Sequence, residues 1–363
     1  MRHPGTRCYR PAAWVLLLFI ALAGCDANDE AARCEIFQTC DVTATLNVAL
    51  IEHQTRPPAN VSLLFKVDTE DGAPVPGLQP ANFDIFENEQ LVSRFESRQS
   101  IVPKARQFRF TVALLLDLSG SIVASESLEP LKAAARSFVE ATLFARDDPR
   151  YGEIEMGIWW FDGQAELVPL VGVTSDPDLL LAGIEDITAD LPKDNSTNLY
   201  GAVVQGIDQI DQRLEVLVRE QIIAAGTVVL FTDGTDQASR VPRSEAMTAV
   251  RRAGPDVSIY AIGLGGEIDE ATLTEIGRDG FVAASRIDDL LPRFQEIAGF
   301  IRDEANSYYL LEYCSPKRSG EHELTVRVTD GTAVGLLATR FEANEFTAGC
   351  TVSQVLAKVG GGR

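Results

Sequence analysis

The distribution of apolar and polar positions divides the chain into two kinds of region. Around residues 61–67, apolar side chains alternate with mostly polar ones, which is typical of a strand with one buried face. From Phe108 onwards, continuous apolar runs instead alternate with stretches of helical period. The pattern predicts a small antiparallel β domain over residues 46–107 and a larger α/β domain over residues 108–302.

The α/β region contains several short apolar runs separated by helical stretches. Strands are predicted at 108–117, 154–161, 165–170, 227–232 and 257–263, with a short one near 281. Helical spacing recurs in residues 128–142 and 199–214, and again in a last helix from Ile287 to about Asp303. Strands that are apolar on both faces indicate helices on both sides of a sheet. The predicted fold class is therefore α/β, with a doubly wound, mostly parallel sheet.

Strand patterning returns after the last predicted helix. Apolar alternation at 308–314 and 323–329 flanks the polar turn at 317–320, which predicts a β-hairpin. We expect the strands of residues 303–345 to complete the small β domain as a flanking β-sandwich-like unit. The α/β domain would then be an insertion, and residues 346–363 would form a tail.

The first 25 residues resemble a targeting segment. Three arginines precede an apolar run from Ala12 to Leu22, which is too short to span a membrane stably but suits a signal peptide. The run ends in Leu-Ala-Gly-Cys, which resembles the bacterial lipobox, so we expect Cys25 to carry a lipid (diacylglycerol and palmitate-type acyl chains). An ordinary signal peptide with an incidental cysteine is the alternative. Residues 26–45 are polar and predict a flexible tether, so the expected location is the bacterial cell envelope, on either membrane and facing the periplasm or the surface.

The charge of the chain excludes some partners. Removal of the signal peptide takes away three arginines and no acid, which changes the net charge from −21 to −24. Such a charge repels phosphate backbones, so nucleic acid is not an expected partner.

Four cysteines remain after Cys8 and the lipidated Cys25 are set aside. In an oxidising compartment they predict two disulfides, with three connectivities open. The candidates are Cys34, Cys40, Cys314 and Cys350.

Three polar motifs follow apolar strands or precede a helix in the α/β region. Asp117-Leu-Ser119-Gly-Ser121 ends the first strand, Ser196-Thr197-Asn198 begins a long helix, and Asp233 ends a buried strand. Carboxyl ends of parallel strands meet at one edge of a sheet, where ligands bind. Oxygen ligands with little net charge suit a hard divalent cation.

These motifs, in this order, resemble the metal-ion-dependent adhesion site (MIDAS) of the von Willebrand factor type A family over residues 108–302. The resemblance implies that Ser119, Ser121 and Thr197 coordinate Mg²⁺ directly, and that Asp117 and Asp233 hold its waters or act from a second layer. Mn²⁺ or Ca²⁺ would also suit oxygen ligands. The ion would then bind a Glu or Asp carboxylate of a partner protein. The alternative is that the same side chains only cap helices and satisfy buried backbone groups.

Other sequence features give weaker indications. Gly263-Leu-Gly265-Gly266 lacks the third glycine of a dinucleotide loop, and the mature chain keeps only two histidines, both outside the α/β region. Asp162, Asp236 and the Trp159-Trp160 pair are interpreted as turn or core residues. We therefore expect a binding protein and not an enzyme, with a structural envelope protein, in which the metal only stabilises loops, as the alternative.

Overall fold

The computed structural model describes residues 45–350, apart from 103, 105, 106, 124, 125 and 255. The predicted signal peptide and lipidated Cys25, nearly all of the predicted tether with Cys34 and Cys40, and residues 351–363 of the predicted tail lie outside the described residues. Within the described part, two four-stranded antiparallel sheets and one six-stranded sheet are formed.

The elements follow one another in this order. The strands are β1 (Leu46–Arg56), β2 (Asn60–Thr69), β3 (Phe83–Glu87), β4 (Gln90–Leu91), β5 (Ser100–Ile101), β6 (Phe108–Asp117), β7 (Ile154–Phe161), β8 (Val168–Thr174), β9 (Ile223–Thr232), β10 (Val257–Leu264), β11 (Gly280–Ala284), β12 (Tyr308–Cys314), β13 (Glu321–Asp330) and β14 (Ala333–Glu342). The α-helices are α1 (Arg94–Ser97), α2 (Gly120–Val123), α3 (Leu128–Thr142), α4 (Pro177–Glu185), α5 (Leu199–Arg219), α6 (Arg243–Arg252), α7 (Glu270–Ile276) and α8 (Leu290–Asn306).

The six-stranded sheet is the centre of the α/β part. Its strand order is β11-β10-β9-β6-β7-β8, and all neighbours are parallel except β7 and β8. On β6, Val112, Leu114 and Leu116 face the core formed with α3, α4 and α8, while Ala113 and Leu115 face the core formed with α5, α6 and α7. Helices therefore cover both faces of the sheet, which confirms the predicted fold class.

The two antiparallel sheets combine strands from both sides of the α/β part. Their orders are β1-β2-β12-β5 and β14-β13-β3-β4. Their buried faces share one core, in which Phe65, Phe83 and Tyr309 pack with ring centroids 5.5 to 6.0 Å apart. Strands before and after the α/β part thus belong to the same sandwich.

Several local predictions were wrong. The strand predicted at 165–170 is β8, which runs from 168 to 174, and the helix predicted from 287 begins as a 3-10 turn before α8. The predicted hairpin of β12 and β13 does not form, because β12 pairs with β2 and β13 pairs with β14 and β3. The reason is that the turn at 317–320 carries the chain from one sheet of the sandwich to the other.

Residues 346–350, the described part of the predicted tail, pack against the sandwich. Phe346 is buried in the sandwich core, and Cys350 forms a disulfide with Cys314, with the two Cα atoms 5.8 Å apart. None of the helices in the described part of the chain is both long and apolar enough to cross a membrane.

Candidate metal site

Two neighbouring parallel strands bring the first and third motifs together. In the pairing of β6 with β9, Leu116 lies opposite Phe231, so Asp117 and Thr232 end their strands side by side. The Thr232 hydroxyl donates a hydrogen bond to Asp117 Oδ2 at 2.6 Å. The loop that carries Asp233 is thereby joined to the loop that carries Ser119 and Ser121.

The first motif also contacts the loop before α5. The Gly120 N–H donates to the carbonyl oxygen of Asn195 at 3.1 Å. A Cβ atom on residue 120 would lie 2.9 Å from Asn195 Cβ, closer than ordinary van der Waals contact. Glycine at this position therefore permits the approach of the two loops.

The loop before α5 contacts the loop after β9 in turn. The carbonyl oxygen of Thr197 accepts hydrogen bonds from the N–H groups of Gln237 at 2.9 Å and Ala238 at 3.0 Å. Thr197 Oγ1 lies 3.9 Å from the position that a Cβ atom would take on Gly234. Thr197 is thus adjacent to the residue that follows Asp233.

The side chains of the first and third motifs form a connected cluster. The Ser119 N–H donates to Asp117 Oδ1 at 2.9 Å, and Ser119 Oγ lies 3.3 Å from Ser121 Oγ. The Ser121 hydroxyl in turn lies near the Asp233 carboxylate and acts to lower its pKa, against the larger effect of burial. Together with Thr197, all five residues predicted from the sequence lie on three loops that touch one another.

Both carboxylates of this cluster lie in a poorly solvated environment. Asp117 is fully buried, and burial, with a further contribution from the negative charge of Asp233, raises its pKa to about 7. Burial also raises the pKa of Asp233, and Asp233 Oδ1 has no hydrogen-bond partner among the described residues. No described basic side chain offsets either charge. Such an arrangement is costly unless a cation is supplied from outside the chain.

The chemistry of the cluster fits a hard divalent cation. Its possible metal ligands are carboxylate and hydroxyl oxygens, which Mg²⁺ prefers. Asp233 Oδ1 has no hydrogen-bond partner among the described residues and is therefore available to a cation. No group of three or more His, Cys, Asp or Glu side chains within the described ranges is arranged to hold a metal ion. The cluster does not belong to that class, because it combines two carboxylates with three hydroxyls.

Asp162 supports the loop before α5, a role that the sequence analysis missed. It is buried, and its carboxylate accepts hydrogen bonds from the N–H groups of Gln164, Lys193 and Asp194 at 2.7 to 2.9 Å. Its carbonyl oxygen accepts from the Asn198 N–H at 2.9 Å. The available signal was its position, because Asp162 directly follows the predicted strand 154–161 as Asp117 ends the strand 108–117.

A sequence model of the von Willebrand factor type A domain matches residues 111–296, just over half of the chain. The chain therefore belongs to this family. The comparison with curated proteins gives no match.

Three solved structures illustrate the likeness of the fold. A von Willebrand factor type A protein from Catenulispora acidiphila is 9% identical, with 83% of this chain and 73% of that chain covered and a TM-score of 0.43. The corresponding domain of the type V pili tip protein Mfa5 from Porphyromonas gingivalis is 14% identical, with coverages of 54% and 95% and a TM-score of 0.40. Proximal thread matrix protein 1 from the mussel byssus, with a zinc-occupied MIDAS motif, is 21% identical, with coverages of 58% and 49% and a TM-score of 0.41. The chain thus spans about half the length of the mussel protein, and the likeness to all three concerns the fold alone.

Proposed function

We propose that this protein is a lipid-anchored bacterial envelope protein whose α/β domain binds a divalent cation and, through it, an acidic residue of a partner protein. The proposal is a binding function and not catalysis. The observation that carries it is the pair formed by the buried Asp117 and the half-buried Asp233, which has hydroxyl neighbours on three loops and, within the described part of the chain, no basic side chain to offset its charge.

The proposed ligands are the residues that the sequence singled out. Ser119, Ser121 and Thr197 would coordinate Mg²⁺ directly. Asp117 and Asp233 would hold its water ligands or contribute their charge from behind the direct ligands. When bound, the ion offers an open coordination position that a Glu or Asp carboxylate of the partner can take. The carboxylate is attracted because neutral hydroxyl ligands leave most of the positive charge of the ion uncompensated. Asp162 has a positioning role, since it fixes the loop that carries Thr197.

The proposed anchor is the lipid on Cys25, with residues 26–45 as the tether between the membrane and the folded part. In the alternative function, the cation only stabilises the three loops of a structural envelope protein. The two differ in one observable: release of a partner when the cation is removed.

The first experiment measures cation binding with the full chain. Addition of Mg²⁺ at about 100 times its dissociation constant should stabilise the wild-type protein by about 2 to 3 kcal/mol. Ser119→Ala should lose most of this gain, because it removes one oxygen ligand. Ser244→Ala, which removes an exposed hydroxyl on α6, is the matched control and should keep it. An equal response of all three proteins to Mg²⁺ in thermal unfolding would refute the site.

The second experiment separates the two functions. Wild-type, Ser119→Ala and Ser244→Ala proteins are used for affinity capture from an envelope extract, in Mg²⁺ and in chelator. A partner retained only by the wild-type and Ser244→Ala proteins, and only in Mg²⁺, supports adhesion. Partners retained equally in every condition, together with Mg²⁺ stabilisation, favour the structural alternative.

A further inference from the structure

A cavity of about 600 Å³ lies near the amino end of β10, at the edge of the sheet opposite the candidate metal site. Both the sandwich and the α/β part contribute to its walls. The walls include Lys66 of β2, Tyr260 of β10, and Phe300, Asp303 and Glu304 of α8.

An aromatic pair forms one wall of this cavity. The rings of Tyr260 and Phe300 are stacked, with centroids 6.1 Å apart and planes at 25°. Phe300 is 42% exposed, whereas the neighbouring apolar residues Ile297 and Ile301 of α8 are fully buried. The cavity therefore presents an aromatic surface that the fold itself leaves uncovered.

The remaining wall is strongly acidic. Five carboxylates and two basic side chains line the cavity, and both bases are already engaged. Lys66 lies 2.7 Å from Glu304 and 3.2 Å from Asp68. Arg278 donates to four backbone carbonyl groups and to Asp279. The exposed carboxylates that remain therefore give the cavity a negative potential.

Two hydroxyl groups lie side by side in the cavity wall. Tyr260 is only 7% exposed, and its hydroxyl lies beside Ser258, two residues before it on the same face of β10. Ser258 Oγ is buried and makes no hydrogen bond of ordinary length and angle within the described residues. Burial and the carboxylates of Glu304 and Asp279 raise the pKa of Tyr260 well above its usual range, so its hydroxyl stays protonated at neutral pH. An incoming group with several N–H donors would satisfy these oxygens.

We propose that this cavity binds the guanidinium group of an arginine side chain in a basic peptide segment. A guanidinium is planar and stacks on aromatic rings, carries a positive charge and presents five N–H donors, which matches all three properties of the walls. A lysine ammonium group offers the charge without the planar surface. The cavity volume lies within the range of about 300 to 1,000 Å³ that is usual for small-ligand sites. This site is independent of the cation proposed above.

The test uses a fluorescein-labelled peptide, Gly-Ser-Arg-Ser-Gly, and measures anisotropy with the full chain in chelator. The matched probe replaces arginine with citrulline, which keeps the planar shape and removes the charge. We expect the arginine peptide to bind at least about tenfold more tightly than the citrulline peptide. Phe300→Ala should weaken binding by about threefold or more, and Asp303→Asn by about twofold to threefold. Both residues are exposed, and thermal unfolding of the variants checks that they fold.

The control variant is Asp208→Asn, which removes one charge from an exposed position on α5 that does not line the cavity. It should bind the arginine peptide as the wild-type protein does. Equal affinity for the arginine and citrulline peptides would overturn the proposal. So would equal weakening by Asp208→Asn and Asp303→Asn, because it would indicate attraction to the overall charge of −21. A lysine peptide that binds as tightly as the arginine peptide would overturn the assignment of a guanidinium.

Discussion

Two regions of the molecule differ in how they neutralise carboxylates that are largely shielded from solvent. In the sandwich, Asp84 forms ion pairs with Arg94 and with the buried Arg327. At the carboxyl edge of the α/β sheet, hydroxyl groups, backbone groups and further negative charges surround Asp117 and Asp233, and no described basic side chain offsets them. Basic side chains of the chain itself neutralise Asp84, whereas no described basic side chain neutralises Asp117 or Asp233. A poorly solvated charge without a counter-ion lowers stability, so the difference supports the proposal that Asp117 and Asp233 serve function and not stability.

Removal of Arg327 should have the largest effect on stability. Arg327→Met leaves Asp84 without its buried partner and removes a cation–π contact with Phe86, so the free energy of unfolding should fall by about 3 kcal/mol. Urea unfolding measures this. Arg340→Met is the control, because the pair of Arg340 with Glu323 is exposed and its loss should cost less than about 1 kcal/mol. Equal losses of stability in the two variants would contradict the distinction between the ion pair of the buried Arg327 and the exposed pair of Arg340.

The junction between the two regions should show a pH effect of intermediate size. Lys104 is buried, donates to the carbonyl oxygens of Ala305 and Tyr308, and lies 3.9 Å from Glu153. Burial lowers the pKa of Lys104 to about 8, although Glu153 opposes this shift. Between pH 8 and about 10.5 the unfolded chain therefore binds more protons at this residue, and stability should rise with pH by at most about 3 kcal/mol.

Lys104→Met removes the titrating group and isolates this contribution. The difference in the free energy of unfolding, wild type minus variant, should increase across that pH window and be constant below pH 7. Chemical unfolding at several pH values gives the difference, in which the tyrosine titrations above pH 10 cancel. A flat difference would show that folding does not lower the pKa of Lys104.

The smallest predicted effect concerns the charge of Asp233 at the sheet edge. In chelator, Asp233→Asn should raise the free energy of unfolding by about 1 kcal/mol, because it removes an unneutralised charge beside Asp117. It should also lose the stabilisation by Mg²⁺. Asp208→Asn makes the same change of charge at an exposed position and should change stability by less than about 0.5 kcal/mol. A loss of stability in Asp233→Asn would mean that Asp233 is already satisfied by the protein.

The sequence predicted the α/β part more accurately than the sandwich. The strands at 108–117 and 154–161 have the predicted bounds, because a fully buried parallel strand is a continuous apolar run. The edge strand β8 is half exposed and contains Pro169 and Gly172, so its pattern is weak. In the sandwich, the turn at 317–320 was correctly located, but a turn does not specify which sheet the next strand joins.

The residues of the candidate site could be predicted from the sequence, but the contacts that hold its loops in place could be predicted only in part. Asp117, Ser119, Ser121 and Asp233 form one cluster because strand ends meet, which follows from a parallel sheet. The role of Asp162 depends on backbone N–H groups more than 25 residues further along the chain. Such contacts are set by the path of a loop and leave no local pattern in the sequence.

The pairing of β2 with β12 also has a consequence for the order in which the chain acquires structure. β2 ends at Thr69 and β12 begins at Tyr308, so the first strands emerge from the ribosome or an export channel long before their partners. The residues of the α/β core are contiguous and available earlier. We therefore expect vectorial folding in which the inserted domain forms first and the sandwich closes last, around a part of the chain that is already native.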